Sequence, residues 1–130
     1  MKVLLIALGV YAPGGGMEQF NQRVVRCLGE ISLSAEPESR VLALWDGAAG
    51  ASQAPGGVRF FPGSRRKLRT ALAFAWHVWN MRPDVILYGH ILLAPLACLA
   101  RLLSSRSRQV LFVHGRDVWV EPFRRRVPLL

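Results

Sequence analysis

The chain has 130 residues, a hydrophobic fraction of 52% and a charged fraction of 19%. These values exclude a disordered segment and fit one globular domain with a buried core. Its 17 Lys and Arg against 8 Asp and Glu give a net charge of +9, which favours contact with nucleic acid, anionic lipid or phosphorylated small molecules. Cys27 and Cys98 lack zinc-site spacing, so both are expected to be buried thiols in a reducing compartment.

Two apolar segments imitate membrane elements. Lys2 and the run at 3–12 resemble a short signal peptide, but Pro13 would directly follow the plausible cleavage site. Residues 85–103 approach the length of a bilayer span, yet they contain Pro95 and Arg101, which a strand followed by a helix explains better. A cytoplasmic domain without a membrane span is therefore the preferred interpretation.

The hydrophobic pattern predicts strands that alternate with helices. Strands are predicted at 3–9, 41–45, 58–61, 85–88 and 110–113, and helices at 17–31, 64–81, 91–103 and 118–126. Residues 47–57, rich in Gly, Ala, Ser and Pro, are expected to form a mobile loop. The alternation predicts an α/β fold with a doubly wound, Rossmann-like parallel sheet of strand order 3-2-1-4-5, in one domain at 1–130.

Helical periodicity also predicts which side chains are buried. The expected buried stripe of the first helix is Phe20, Val24, Leu28 and Ile31. The expected buried stripe of the second helix is Leu68, Leu72, Ala75, Trp76 and Trp79. His77 is expected to be a partly buried surface residue.

The predicted topology places a candidate site at one edge of the sheet. Ligands of such sheets bind beyond the carboxyl ends of the strands, near the switch point between the first and fourth strands. The loops at 10–16, 89–90 and 114–117 meet there, and they carry His90, His114 and three consecutive glycines. A histidine in such a loop can donate a hydrogen bond to a hydroxyl or pyrophosphate, or serve as a structural cap.

The glycine loop matches neither common phosphate-binding motif. Residues 9–14 have the glycine spacing of a Walker A loop, but Gly15 and Gly16 replace its lysine and Ser/Thr. Because no G-x-G-x-x-G can be written through this loop, Asp46 is interpreted as a turn residue and not as a ribose-binding acid. Two explanations of the glycines stay open: an anionic ligand that faces the helix N-terminus, or a tight turn.

Basic side chains form clusters at 65–69, 101–108 and 124–126. A solvated surface explains such clusters in most proteins, but the first one precedes two tryptophans on the same predicted helix. Cations beside aromatic side chains predict contact with an anionic membrane or a lipid-linked acceptor. The residues expected to make it are Arg65, Arg66, Lys67 and Arg69. No nucleic-acid-binding motif supports nucleic acid as the partner.

Four segments together resemble a known enzyme family. They are the first strand, PGGGMEQF before the first helix, RPDVILYGH around the fourth strand, and VLFVHGRDVW around the fifth. Their order and spacing are similar to the N-terminal domain of family-4 retaining glycosyltransferases, which have the GT-B fold. The resemblance covers nearly the whole chain. It implies a nucleotide-sugar co-substrate, a glycan or lipid-linked acceptor, no metal, and a cytoplasmic location with peripheral attachment to the inner face of the plasma membrane.

The resemblance also implies roles for single residues. Gly15 and Gly16 would approach the donor diphosphate and the acceptor, and His114 would contact the transferred sugar as the catalytic residue. His90 and Asp117 would line the acceptor side. Independently of the family, Gly115 would let a ligand approach the backbone.

The chain departs from this family because the nucleotide-sugar site, with its E-x7-E acidic pair, belongs to a second domain that is absent from the sequence. We therefore expect the N-terminal part of a glycosyltransferase, inactive alone and completed by a C-terminal domain or a partner chain. Two alternatives remain: a non-catalytic module that binds an anionic membrane or a partner, and a different Rossmann-type nucleotide enzyme.

Overall fold

The computed structural model describes residues 1–35 and 38–115. The strands are β1 (Val3–Ala7), β2 (Ser39–Ala43), β3 (Val58–Pro62), β4 (Val85–Tyr88) and β5 (Arg108–Leu111). The helices are α1 (Gly16–Ala35), α2 (Ala48–Ala51), α3 (Lys67–Met81) and α4 (Pro95–Leu103), with a 3-10 turn at Ile91–Leu93. All strand pairs are parallel, in the order β3-β2-β1-β4-β5. The predicted doubly wound α/β sheet is confirmed.

The sheet separates two hydrophobic cores, one on each face. The core beneath α3 and α4 includes Leu4, Ile6, Leu42, Phe74, Val78 and Ala100. The core beneath α1 includes Val3, Leu5, Val25, Leu28 and Val41. Because β1 supplies side chains to both, all five of its residues are buried, which explains its continuous apolar sequence.

The element boundaries differ from the prediction where loops impose their own geometry. The helix expected from residue 64 begins at Lys67, because Ser64 and Arg65 have φ values of 50° and 61°, which lie outside the right-handed helical region. Residues 47–57 contain the short helix α2. The helix expected at 91–103 begins as a 3-10 turn before α4. The predicted helix at 118–126 lies outside the described residues.

The predicted buried stripe is wrong for the large side chains of α3 and partly right for α1, where Leu28 is buried and Val24 packs against the core. On α3 the large apolar side chains at 68, 72, 76 and 79 are between 57% and 75% exposed. The side chains that face the sheet are Thr70, Phe74, His77, Val78 and Met81. On α1, Phe20 and Ile31 are exposed, and the buried stripe is rotated by about one residue. Cys27 and Cys98 are also exposed, contrary to the prediction.

His77 is buried, not a partly buried surface residue, and it belongs to a polar cluster near the amino ends of the strands. Its ring is 3% exposed and packs against Phe61, with ring centroids 4.3 Å apart. Arg40 NH1 lies 2.9 Å from His77 Nδ1, so Arg40 donates and His77 accepts. Arg40 also forms an ion pair with Glu38. These contacts compensate the positive charge of the Arg40 guanidinium, which β2 places on the α3 side of the sheet.

Among the described residues, no helix is both long and apolar enough to cross a membrane.

Candidate functional site

The glycine loop between β1 and α1 is held in place by a buried carboxylate. Asp46 is 1% exposed. Its Oδ2 accepts a hydrogen bond from Val10 N at 2.8 Å, and its Oδ1 accepts one from Tyr11 N at 2.7 Å. The Asp46 carbonyl accepts a third from Ser64 N at 3.0 Å. Asp46 therefore ties together the loops that follow β1, β2 and β3, and both carboxylate oxygens already have partners.

Two side chains of α1 bind the same loop from the other side. Asn21 Nδ2 donates to Gly9 O at 2.9 Å, and Gln22 Nε2 donates to Val10 O at 2.8 Å. Asn21 is fully buried, and its Oδ1 has no hydrogen-bond partner in the described part of the chain. A Cβ at Gly89 would lie 2.9 Å from that oxygen. The glycine after β4 therefore allows α1 to approach the switch point closely.

The N-terminus of α1 is capped by its own third residue. Glu18 Oε2 accepts a hydrogen bond from Gly15 N at 2.7 Å, which is the carboxylate half of a capping box. The Glu18 side chain is 6% exposed and lies beneath the loop. A Cβ at Gly14 would overlap the Glu18 carboxylate group. A larger residue at this position would therefore displace the side chain that caps the helix.

Gly15 and Gly16 have no comparable structural requirement. A Cβ at either position would meet no atom within 4 Å beyond its chain neighbours and, for Gly16, the backbone of its own helix. Among the described glycines, Gly57 has a positive φ, at 84°, whereas Gly15 and Gly16 do not. Packing against the Glu18 side chain therefore explains glycine at position 14, whereas neither a close contact nor a positive φ explains it at positions 15 and 16.

We expect Gly14→Ala and Glu18→Ala to have nearly the same effect, because both remove the same cap. Each should lower the free energy of unfolding by about 1 kcal/mol. The double variant should lose little more than either single one, since neighbouring groups that share one interaction are not additive. Chemical denaturation of the four proteins tests this, with Gly15→Ala as a control that should stay within about 0.5 kcal/mol. Additive losses would contradict the shared cap.

The two histidines predicted at this edge lie close together. The rings of His90 and His114 are stacked at 25° with centroids 6.2 Å apart. His114 Nε2 lies 3.1 Å from Gly89 O, so this nitrogen donates and Nδ1 is the remaining acceptor of the neutral ring. His90 Nδ1 accepts from Leu92 N at 3.1 Å and caps the 3-10 turn. The capping alternative thus holds for His90, and the His114 ring bridges the ends of β4 and β5.

Phe20, on α1, contacts the His114 ring edge to face, with centroids 5.5 Å apart. It contacts the Phe112 ring in the same way at 5.0 Å.

Two tyrosines elsewhere in the fold have raised pKa values. On the α3 side of the sheet, burial raises the pKa of the Tyr88 hydroxyl far above its usual value. Burial, followed by the Asp46 carboxylate, also raises the pKa of Tyr11. Both phenols are therefore neutral hydrogen-bonding groups at ordinary pH, and neither is a ready proton acceptor.

The other predicted site residues are placed differently. Gly115 lies in open space just after β5, on the same edge as His114. Asp117 lies outside the described residues. The basic cluster follows β3, two strands away from β1. Its members, all exposed, are Arg65, Arg66, Lys67 and Arg69.

Asn21 and Gln22 were not among the predicted site residues. Both lie within one turn of buried Val25, and polar side chains next to a buried helix stripe are a signal of backbone contacts. Asp46 was recognised as a turn residue, but its contacts with a loop 35 and 36 residues away could not be read from the sequence.

No protein-family model and no curated protein matches this chain. Within the described residues, no group of three or more His, Cys, Asp or Glu side chains could hold a metal ion.

Proposed function

We propose that the chain is the acceptor-side N-terminal domain of a retaining glycosyltransferase of the GT-B type. Such an enzyme moves a sugar from a nucleotide-sugar donor to a glycan or lipid-linked acceptor with retention of configuration. The observation that carries the proposal is that a Cβ at Gly15 or Gly16 would meet open space, in the loop after β1, whose carboxyl end shares one sheet edge with the His90 and His114 loops. Glycine without a local structural need is expected where a ligand approaches the backbone closely.

His114 is the residue best suited to contact a sugar. Its Nε2–H is held by Gly89 O, which fixes the ring orientation, and its Nδ1 is left to accept a hydrogen bond from a hydroxyl. When the ring is protonated, Nδ1 becomes a donor and can stabilise negative charge on a departing diphosphate. The His114 side chain is half-buried beside Phe20, a partly desolvated setting that strengthens either contact.

The Glu18 cap favours hydroxyl groups over phosphate at the glycine turn. Its carboxylate occupies the Gly15 N–H and puts a negative charge where a diphosphate would otherwise meet the helix N-terminus. A diphosphate would have to displace Glu18, whereas a neutral sugar would not. We therefore assign the glycine turn to the acceptor and the donor diphosphate to the side nearer His114.

The proposal is tested by a sugar-transfer assay. The protein is purified from its native host together with any further domain or partner chain that it carries there. A panel of labelled nucleotide-sugars is offered, and the anomeric configuration of the product is compared with that of the donor. We expect retained configuration, and a rate roughly 10- to 100-fold lower in His114→Ala, because a hydrogen bond to a charged or developing charged group is lost. The melting temperature should change little.

His77→Asn is the matched control, because it alters a buried histidine near the opposite edge of the sheet. It should lower the melting temperature while the transfer rate of the folded protein persists. Inverted configuration would contradict the proposed class. Equal losses of rate and melting temperature in His114→Ala would make His114 a structural residue.

Ligand mapping on the 130-residue chain separates the remaining alternatives. In amide NMR spectra, glycan acceptors should shift the signals of Gly15, Gly16 and Gly89 without any transfer reaction. Tight binding of NAD or ATP at the same edge would favour a different nucleotide enzyme. No response to any glycan or sugar nucleotide would favour a non-catalytic module.

A further inference from the structure

The outer surface of α3 combines large apolar side chains with a cluster of cations. Leu68, Leu72, Trp76 and Trp79 are 75%, 63%, 57% and 61% exposed. At 3.6 residues per turn they fall within an arc of about 80° on the helix surface. We call these four residues the α3 outer face. A continuous exposed apolar surface of this kind marks an interaction site more often than a scattered pair of residues does.

The charges along α3 and in its flanking residues have one sign. Residues 64–82 contain five cations and no carboxylate. The cations are Arg65, Arg66, Lys67, Arg69 and Arg82. Four of them are gathered at the helix N-terminus, where the macrodipole disfavours positive charge. No acidic side chain of the same segment neutralises them, so an anionic surface would relieve their mutual repulsion.

We propose that the α3 outer face docks on the surface of an anionic lipid bilayer. Leucine and tryptophan side chains would enter the interfacial layer, where the indole rings are favoured. The long arginine and lysine side chains would reach the lipid phosphates beside them. A protein partner is less well matched, because it would have to present an apolar groove next to a run of acidic groups.

The fold sets the orientation of this contact. In a parallel α/β sheet the N-terminus of each helix lies at the carboxyl edge of the strands, and Arg65 directly follows β3 at that edge. The four cations at the helix N-terminus therefore lie on the same edge as the glycine loop, whereas Arg82, just after the C-terminus of α3, lies at the opposite edge. Docking would hold this edge next to the lipid headgroups. The inference stands on the α3 surface alone and does not depend on the proposed transferase activity.

Vesicle co-sedimentation of the 130-residue chain tests the proposal. The probes are phosphatidylcholine vesicles with and without about one-third phosphatidylglycerol, at about 0.1 M and about 0.5 M salt. We expect at least about tenfold tighter binding to the anionic vesicles, and loss of most of this difference at the higher salt concentration. Equal, salt-insensitive binding to both vesicle types, or no binding to either, would overturn it.

Two variants of α3 and one matched control locate the contact. The charge variant carries R65Q, R66Q, K67Q and R69Q, and the control loses the same charge through R23Q, R26Q, R101Q and R106Q, all at exposed positions. The apolar variant carries W76Q and W79Q. Circular dichroism checks that all three are folded, as expected for exposed substitutions.

Both α3 variants should bind anionic vesicles at least about tenfold more weakly than the control. Equal binding by the charge variant and the control would mean that net charge alone drives attachment, which would overturn the proposal. Sedimentation velocity measures self-association without lipid. A dimer that W76Q and W79Q abolish would instead identify the α3 outer face as an interface between two copies, and would also overturn it.

Discussion

Asp46→Ala is expected to lower the free energy of unfolding by about 3–5 kcal/mol, because two backbone N–H groups lose a buried carboxylate. The Val10 and Tyr11 amides both donate to Asp46, at 2.8 and 2.7 Å. Val10 is fully buried, so water cannot readily replace the lost acceptor for its amide. Bonds to a charged group are worth more than neutral ones, and an unpaired buried donor adds its own desolvation penalty.

A loss of this size is a large part of the total stability of an ordinary domain, about 5–15 kcal/mol. It should appear as a fall in melting temperature of about 10–20 °C. The effect should extend beyond the glycine loop, because a shift of the backbone at position 46 would also move the carbonyl that accepts from Ser64 N. In amide NMR spectra, we expect changes in the loops after β1, β2 and β3 together, while signals of β4 change less.

Asp84→Ala is the matched control for burial. Asp84 Oδ2 accepts a hydrogen bond from Lys2 N at 2.7 Å, but the pair is exposed, so water can take the place of the carboxylate. We expect a loss of no more than about 1 kcal/mol. If Asp46→Ala were as mild as Asp84→Ala, the loop after β1 would not depend on the buried carboxylate.

Strand order and element type could be predicted from the sequence because they depend on local patterns. The buried run at Val3–Ala7 and the alternation of strands with helices left few topologies open. The side of each helix that faces the sheet was harder to predict from the sequence. Helix α3 is apolar on two sides, and the larger side chains lie on the outer one. The turn before α3, pinned by Arg65 N to Leu44 O at 2.7 Å, decides which side meets the sheet.

The candidate site shows the same division. The convergence of the glycine loop with His90 and His114 follows from topology, since carboxyl ends of parallel strands share one edge. The contacts that hold the glycine loop in place do not follow from topology. Asn21 reaches Gly9 O only because α1 is rotated by about one residue from the predicted stripe. Distinguishing Gly14 from Gly15 required the position of the Glu18 carboxylate beneath the loop.

Two places where the sequence and the fold disagree support the proposals made above. The sequence left both a tight turn and an anionic ligand open for Gly15 and Gly16, and neither sterics nor φ requires glycine there. The α3 outer face looked like core, yet it is exposed. In both places the sequence departs from what the fold alone demands, and such departures are expected where a chain meets a ligand or a partner.

Protonation of His77 is expected to make the protein strongly less stable in mild acid. Burial, and then the Arg40 guanidinium, lower the pKa of His77 from 6.5 to about 4. Between these values the unfolded chain binds a proton that the folded chain does not. Stability from this group is therefore complete above about pH 6.5 and is lost as the pH falls toward about 4, by roughly 3 kcal/mol in all.

The arrangement of the ring explains why the proton is excluded. Nδ1 accepts a hydrogen bond from Arg40 NH1 at 2.9 Å, so protonation at this nitrogen would replace an acceptor with a second cation. Glu38 offsets part of the Arg40 charge, but its own pKa is lowered chiefly by its hydrogen bond from Arg40. Stability from Glu38 is lost only below its ordinary value of 4.5. The interval between about pH 5 and pH 6.5 therefore isolates His77.

Denaturation of the native chain, His77→Asn and His90→Asn across this interval tests the assignment. Asn at position 77 offers an oxygen near the place of Nδ1 but does not titrate, so the variant should be less stable at neutral pH and nearly independent of pH in this interval. His90→Asn keeps His77 and a capping acceptor, and it should retain the slope of the native chain. An unchanged slope in His77→Asn would assign the acid sensitivity to other groups, and the Arg40–His77 contact would then be a packing contact without a role in proton linkage.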